Sequence, residues 1–258
     1  MRRFLPFALL AASLAAAPPA TAQDTRTPPR GTLRPGVGPD DPRRPVDVRA
    51  EPWRALGRVQ LEVGGRCTGV LVGPRTVLTA AHCLFSPRSR QVVRPGSVHF
   101  LLGYHLGEWK ARARVTALTM GEGFMLDRDS PFGGPVGRDW ALLTLDAPLG
   151  EGRALRLRRS VPPPGTELML AGYQQDRPEV LLADTGCRAL GLRRGVQGLP
   201  LLAHGCAGTR GTSGAPLLAR AADGAWEVVG VASAVSDDAA RGVAVPAGSL
   251  PASAAASP

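Results

Sequence analysis

Residues 208–216 read Gly-Thr-Arg-Gly-Thr-Ser-Gly-Ala-Pro, with Ser213 just ahead of an apolar run from Ala215 to Ala219. Glycines at that spacing allow a tight turn whose N–H groups point inward. A hydroxyl held there can attack a carbonyl, and neighbouring N–H groups can hold the oxyanion that forms. The same pattern is also an ordinary surface turn, and a chain with 32 glycines meets it by chance. The chemistry therefore needs a base and a group that orients the base.

A base stands at His82, in Thr76-Val77-Leu78-Thr79-Ala80-Ala81-His82-Cys83. A strand delivers it into a tight turn, and Cys83 could tie that turn back to Cys67. A general base must be held in one place and one tautomer, so a staple beside it makes physical sense. The bland alternative is a strand-end histidine satisfied by backbone. His99, His105 and His204 lie in or beside plain strand-like contexts and read as structural or surface groups. The orienting acid should be buried yet able to reach an imidazole. Asp139 fits best, because it opens Asp139-Trp140-Ala141-Leu142-Leu143-Thr144-Leu145 and so caps a strand headed into the core. Asp127, Asp129 and Asp146 sit in more turn-like surroundings.

The elements that must position these residues are short strands. Apolar runs recur at 59–63, 67–72, 76–80, 98–102, 115–118, 140–145, 167–173, 180–183, 199–203, 215–219, 226–232 and 242–245. Breaks rich in Gly, Pro, Asp or Arg separate most of them. That spacing predicts an all-β antiparallel sandwich or barrel. No long 3.6-residue periodicity competes, apart from one helical turn at 80–84. Residues 150–165, with three consecutive prolines, read as a connector between two halves.

The 258 residues carry a net charge of +10, with arginines scattered rather than clustered. No basic block interleaved with aromatics marks a nucleic-acid site. The charge reads as a solvated, weakly steering surface. Met1-Arg2-Arg3, the apolar stretch 4–17 and Ala20-Thr21-Ala22 have the form of a signal peptide over 1–22. No later apolar run is long enough to cross a membrane. Residues 23–50 are rich in Pro, Arg, Thr and Asp and read as an extended or disordered propeptide or linker. Residues 248–258 read as a flexible tail.

Export makes the four cysteines, Cys67, Cys83, Cys187 and Cys206, candidates for disulfides. Three connectivities are open. Sequential pairing closes two short loops, each worth about 3 kcal/mol in the chain-entropy model. No CxxC or HExxH spacing marks a metal site, so no metal or cofactor is expected.

Thr-Ala-Ala-His-Cys at 79–83, Asp-Trp-Ala-Leu-Leu at 139–143 and Gly-Thr-Ser-Gly-Ala-Pro at 211–216 resemble the three signature blocks of trypsin/chymotrypsin-like serine peptidases, in the same order. The resemblance spans about 53–247. The short Gly-x-Ser-Gly-x-Pro form, and Cys206 seven residues before Ser213, are closer to the bacterial glutamyl-endopeptidase-like branch. It implies two six-stranded antiparallel β-barrels, about 51–148 and 160–247, with the active site in the cleft between them. It also implies Ser213 as nucleophile, His82 as base and Asp139 as its orienting acid, with the Gly211 and Ser213 N–H groups as oxyanion hole. Ser233 matches the strand that aligns the substrate backbone.

Departures bear on activation and specificity. Thr212 stands where animal trypsin-like enzymes place an aspartate that pairs with a new N-terminal amine, so that switch is absent in its usual form. Thr209 replaces a cysteine that braces the specificity pocket. Ala207 at the pocket floor gives no support for cleavage after Lys or Arg. Glutamyl endopeptidases place a histidine where this chain has Ala232. Small residues at Ala207, Gly208 and Ala232 suggest a pocket for apolar side chains. The expectation is thus a secreted or periplasmic, monomeric serine endopeptidase acting on proteins or peptides. The alternative is a catalytically silent binding protein on the same fold.

Overall fold

The computed structural model describes residues 35–126, 135–237 and 239–255. The signal segment, residues 23–34, Asp127, Asp129 and residues 256–258 lie outside the described residues. Along the chain the strands are β1 (Arg44–Pro45), β2 (Leu56–Leu61), β3 (Arg66–Gly73), β4 (Thr76–Thr79), β5 (Val98–Leu102), β6 (Ala111–Met120) and β7 (Ala141–Leu145). They continue with β8 (Arg156–Leu157), β9 (Glu167–Gly172), β10 (Leu182–Arg194), β11 (Pro200–His204), β12 (Pro216–Arg220), β13 (Trp226–Val235) and β14 (Gly242–Pro246).

Six of these close a first barrel in the order β2-β3-β4-β7-β6-β5, with β2 pairing β5. Six more form a second, in the order β10-β11-β14-β13-β12-β9, closed by the β9–β10 pairing. The barrel pairings are antiparallel, and the architecture is the all-β, two-barrel one expected. Alternation explains which face each strand buries. In β6, Ala113 and Val115 point inward while Arg112 and Arg114 stay exposed. β3 and β4 are buried almost throughout, because the first barrel's interior lies on one side and the second barrel on the other.

Each barrel has its own core, and a third cluster joins them. Val59, Leu71, Val77, Phe100 and Leu143 fill the first. Leu168, Leu202, Leu217 and Val229 belong to the second. Between the barrels, Leu56, Val70 and Leu78 pack in one cluster with Met169, Tyr173 and Val231. Tyr173 also donates its hydroxyl to the Tyr104 carbonyl at 3.0 Å. Burial of this kind, at roughly 25 cal/mol per Å² of apolar surface, holds the two halves in a fixed relation.

The disulfides are Cys67–Cys83 and Cys187–Cys206, the sequential pairing. The first ties β3 to the turn after β4. The second ties β10 to the segment after β11.

Three segments differ from expectation. Residues 35–50 were expected to be extended or disordered, yet they pack along the second barrel. Gly36 donates its N–H to the Ser236 carbonyl and accepts the Gly208 N–H, at 2.7 and 2.8 Å. β1 adds to the edge of β10. Arg43 is buried and reaches Asp41 and Asp176, each at 2.8 Å, and Gln174. Low apolar content signals disorder only when polar groups lack partners, and here strand addition and a paired arginine supply them. The tail beyond Gly248 likewise buries Leu250 and Ala254 in the inter-barrel cluster. Finally, β10 runs well past the apolar stretch at 180–183 that signals it. Its continuation is Asp-Thr-Gly-Cys-Arg-Ala-Leu-Gly, where bulges at Asp184/Cys187 and Ala189/Gly191 break the simple alternation.

Candidate active site

The register of the first barrel brings two distant residues to one rim. β4 pairs with β7 so that Thr79 lies opposite Ala141. The end of β4 and the start of β7 therefore share an edge. Past Thr79 the chain makes a 3-10 turn, Ala81–Leu84, with Ala81, Cys83 and Leu84 buried and His82 left at the surface of the turn. Ahead of Ala141 a second 3-10 turn, Val136–Arg138, delivers Asp139.

Asp139 is fully buried, and its carboxylate grips His82 twice. Oδ1 accepts the His82 backbone N–H at 2.9 Å, and Oδ2 meets Nδ1 at 2.7 Å. Ser233 also donates its hydroxyl to Oδ2. The imidazole keeps 24% of its side-chain surface exposed. With Nδ1–H given to Asp139, Nε2 is left as the basic nitrogen on the open side. Burial lowers the His82 pKa, but the charge and hydrogen bond of Asp139 outweigh it, so the net value lies above the ordinary 6.5. For Asp139, burial pushes upward, but the His82 charge and the bonds from His82 and Ser233 hold it below the usual carboxylate range. Cys67, Cys83 and His82 cluster nearby, but both sulfurs are spent in a disulfide and are not available as metal thiolates.

Ser213 belongs to the second barrel, in the loop before β12. Thr68 of β3, fully buried, clasps that loop from the first barrel. Its N–H donates to the Ser213 carbonyl at 3.0 Å and its hydroxyl to the Gly211 carbonyl at 2.9 Å. The same hydroxyl accepts the Tyr173 N–H at 2.9 Å, and the Thr68 carbonyl accepts the Thr79 hydroxyl at 2.8 Å. Gly214 donates to the Ala232 carbonyl at 2.8 Å, which clips the loop to β13.

The same loop orients two donors. The Arg210 carbonyl accepts the Gln175 N–H at 2.7 Å, and the Thr212 carbonyl accepts the Ala215 N–H at 2.9 Å. A trans peptide sets N–H opposite C=O, so the N–H groups of Gly211 and Ser213 turn away from these bonds. Neither donates to any partner among the described residues. Gly211 has φ +93°, and a Cβ there would lie 2.2 Å from the Tyr173 carbonyl oxygen, so the turn admits only glycine.

His82 and Ser213 line one cleft of about 650 Å³, with Asp139 buried behind His82. Of the four residues expected to shape a substrate pocket, Ala232 and Ser233 line it. Ala207 and Gly208 are not among its described lining. Ala207 is fully buried with its N–H on Asp184 at 2.8 Å, and the Gly208 N–H is taken by Gly36. Ser233 carries a second role, through its hydroxyl on Asp139.

Sequence reasoning missed Thr68, Gln174 and His204. Thr68 and Gln174 carry no local motif; the Gln174 side-chain Oε1 accepts both the Thr209 N–H at 2.9 Å and a hydrogen bond from Arg43. His204 lines the cleft rather than the surface. Its only signal was a place two residues before Cys206.

Comparisons with known proteins bear on the family and the fold. A family model described as a trypsin-like peptidase domain matches residues 67–231, close to two thirds of the chain. A glutamyl endopeptidase of Bacillus licheniformis is 40% identical over 53 residues, which is 20% of this chain and 16% of that relative. A solved Glu endopeptidase structure aligns at 21% identity and TM-score 0.66, covering 82% of this chain and 93% of the other. The protease Anisep of Arthrobacter nicotinovorans aligns at 19% identity and TM-score 0.60, covering 79% and 96%. A thermostable serine protease from an extremophile gives 19% and 0.57, covering 75% and 91%. At such identities the structural likeness is one of fold.

Proposed function

The chain belongs to the trypsin-like peptidase family, and from that premise we propose that it is an exported serine endopeptidase using Ser213, His82 and Asp139. The observation that carries the reading is the doubly bonded His82–Asp139 pair, set at the rim of the cleft that Ser213 also lines. Ser213 Oγ attacks the scissile carbonyl while His82 Nε2 takes its proton. The oxyanion is received by the Gly211 and Ser213 N–H groups. His82 then passes the proton to the leaving amine, and an acyl-enzyme remains. Water, deprotonated by His82, releases the acyl product. Asp139 holds the tautomer that makes Nε2 basic and stabilises the imidazolium formed in each half-reaction.

Export to an oxidising compartment is supported by the closure of all four cysteines in disulfides. No helix among the described residues is long and apolar enough to cross a membrane. Residues 23–34 precede the packed strap that begins at Pro35, and we assign them to a propeptide or linker.

A fluorophosphonate probe tests the reading. The mature chain is expected to label, and Ser213→Ala to abolish the label. No label on Ser213 in folded protein defeats the peptidase assignment.

The oxyanion donors give a second expectation. Gly211→Ala places a methyl against the Tyr173 carbonyl and forces the peptide to rotate. Loss of one such donor costs about 10²–10³ in kcat. Steady-state kinetics on a peptide ester should show that loss mainly in kcat; a change confined to KM would remove Gly211 from the transition-state machinery.

A further inference from the structure

Among the described residues, two buried side-chain atoms without a partner belong to the cleft wall, Thr212 Oγ1 and His204 Nε2. A hydroxyl can rotate its proton to suit its surroundings, whereas an imidazole nitrogen is fixed by its ring.

The ring of His204 is placed by register. His204 pairs directly with Gly242 of β14, so both project from the same face of the sheet. Gly242 offers no side chain, and the imidazole lies in the room this leaves. A Cβ on Gly242 would stand 2.7 Å from both Cε1 and Nε2. Gly242 pairs in turn with Val235 of β13, and Ala232, Ala234 and Val235 line the same cleft. The imidazole therefore reaches from β11 across β14 toward β13, with its Cε1–Nε2 edge leading.

Its tautomer is set from behind. Nδ1 accepts the Cys206 N–H at 3.3 Å, and Cys206 is anchored by its disulfide to Cys187. An accepting nitrogen carries no proton, so the neutral ring bears its proton on Nε2. Protonating Nδ1 as well would set two N–H groups against each other and forfeit that bond. Burial acts in the same direction and pushes the pKa down to about 4. His204 thus presents a neutral, unused donor. The cleft lining combines the apolar Leu170, Ala232 and Val235 with the hydroxyl-bearing Thr209, Thr212 and Ser233, while the charged Arg90, Arg210 and Asp237 are exposed.

We infer that His204 is the specificity-determining residue of this cleft, donating Nε2–H to the uncharged side-chain amide of glutamine or asparagine on the acyl side of the scissile bond. The inference rests on the peptidase reading and names its substrate class. An apolar side chain fills the space but leaves the donor unpaired, and sites built to bond a polar group discriminate against such analogues. At His204 a carboxylate meets a neutral donor and not a cation, and brings a desolvation cost that one hydrogen bond does not offset.

The test uses mature protein whose Ser213 takes the fluorophosphonate, and three fluorogenic peptides that differ only in Gln, Glu or Leu before the scissile bond. The Gln peptide is expected to lead both others in kcat/KM by about tenfold or more. In His204→Leu the Gln:Leu ratio is expected to fall about tenfold, toward unity or below. A ratio cancels the fraction of active protein, so partial misfolding does not imitate the result. If the variant yields no active protein, the wild-type ranking decides alone. Equal rates, a preference for Leu or Glu, or a ratio unchanged in His204→Leu overturns the inference while leaving the peptidase standing. Failure to label Ser213 overturns both.

Discussion

Replacing either Ser213 or His82 with alanine is expected to lower kcat by about 10⁶-fold, and the double variant to fall no further. On the proposed mechanism the two act in one step. Without His82 Nε2 the Ser213 hydroxyl keeps its proton and is a poor nucleophile at neutral pH. Without the hydroxyl, the base has no proton to take. Either loss ends the same event, so the second adds nothing. What remains over the uncatalysed rate is the work of binding and of the Gly211 and Ser213 N–H groups, which both variants keep. The geometry suits this separation. Ser213 is held by Thr68 and β13 through backbone bonds, and His82 by Asp139 and the Cys67–Cys83 disulfide. Truncating one side chain leaves the other's supports in place. Steady-state kinetics with a sensitive peptide substrate would check it, and clearly additive losses would mean that the two residues do not share a step.

The parts of this arrangement that were legible in the sequence are those coded locally. All twelve apolar runs fall on strands, because a barrel strand must present alternating or continuous apolar side chains whatever its partners are. The His82, Asp139 and Ser213 blocks were visible because each lies at the end of such a run. What stayed hidden depends on partners far away in sequence. Thr68 reads as one more polar residue in β3, until Gly211 and Tyr173 arrive from the other barrel. Arg43 reads as a charge in a disordered strap, until Asp176 and Gln174 close around it. His204 reads as a strand-end histidine, and only its pairing with a glycine turns it into part of the cleft wall. Ala207 carries the converse case: its place six residues before Ser213 suggests the pocket floor, while in the structure its N–H is bonded to Asp184 and it is not among the described lining of the cleft.

Asp139→Asn is expected to lower kcat by about 10⁴-fold and to move the acid limb of the pH–rate profile to lower pH. Asparagine can offer its NH₂ to Nδ1, which leaves the proton on Nε2 and removes the base. The shift follows from the balance around His82. Burial alone lowers its pKa, and only the Asp139 charge and hydrogen bond carry it above 6.5. Remove them and burial wins, so the residual activity should titrate in at lower pH than in the wild type. An acid limb that stays in place, or moves up, would mean that Asp139 does not set the His82 ionisation. Stability has its own signs. The Asp139 pKa is depressed, so its contribution is present above the unfolded value near 3.8 and is lost as pH falls through the folded value. The His82 pKa is raised, so its contribution is full below 6.5 and is lost as pH rises through the folded value. Between those limits the ion pair stabilises most, yet the imidazole is then protonated and cannot act as a base. The enzyme works on the alkaline side, where the pair contributes less to the fold. Denaturation midpoints of wild type and Asp139→Asn should therefore differ most in mildly acidic solution, and the gap should narrow as pH rises past the acid limb of activity.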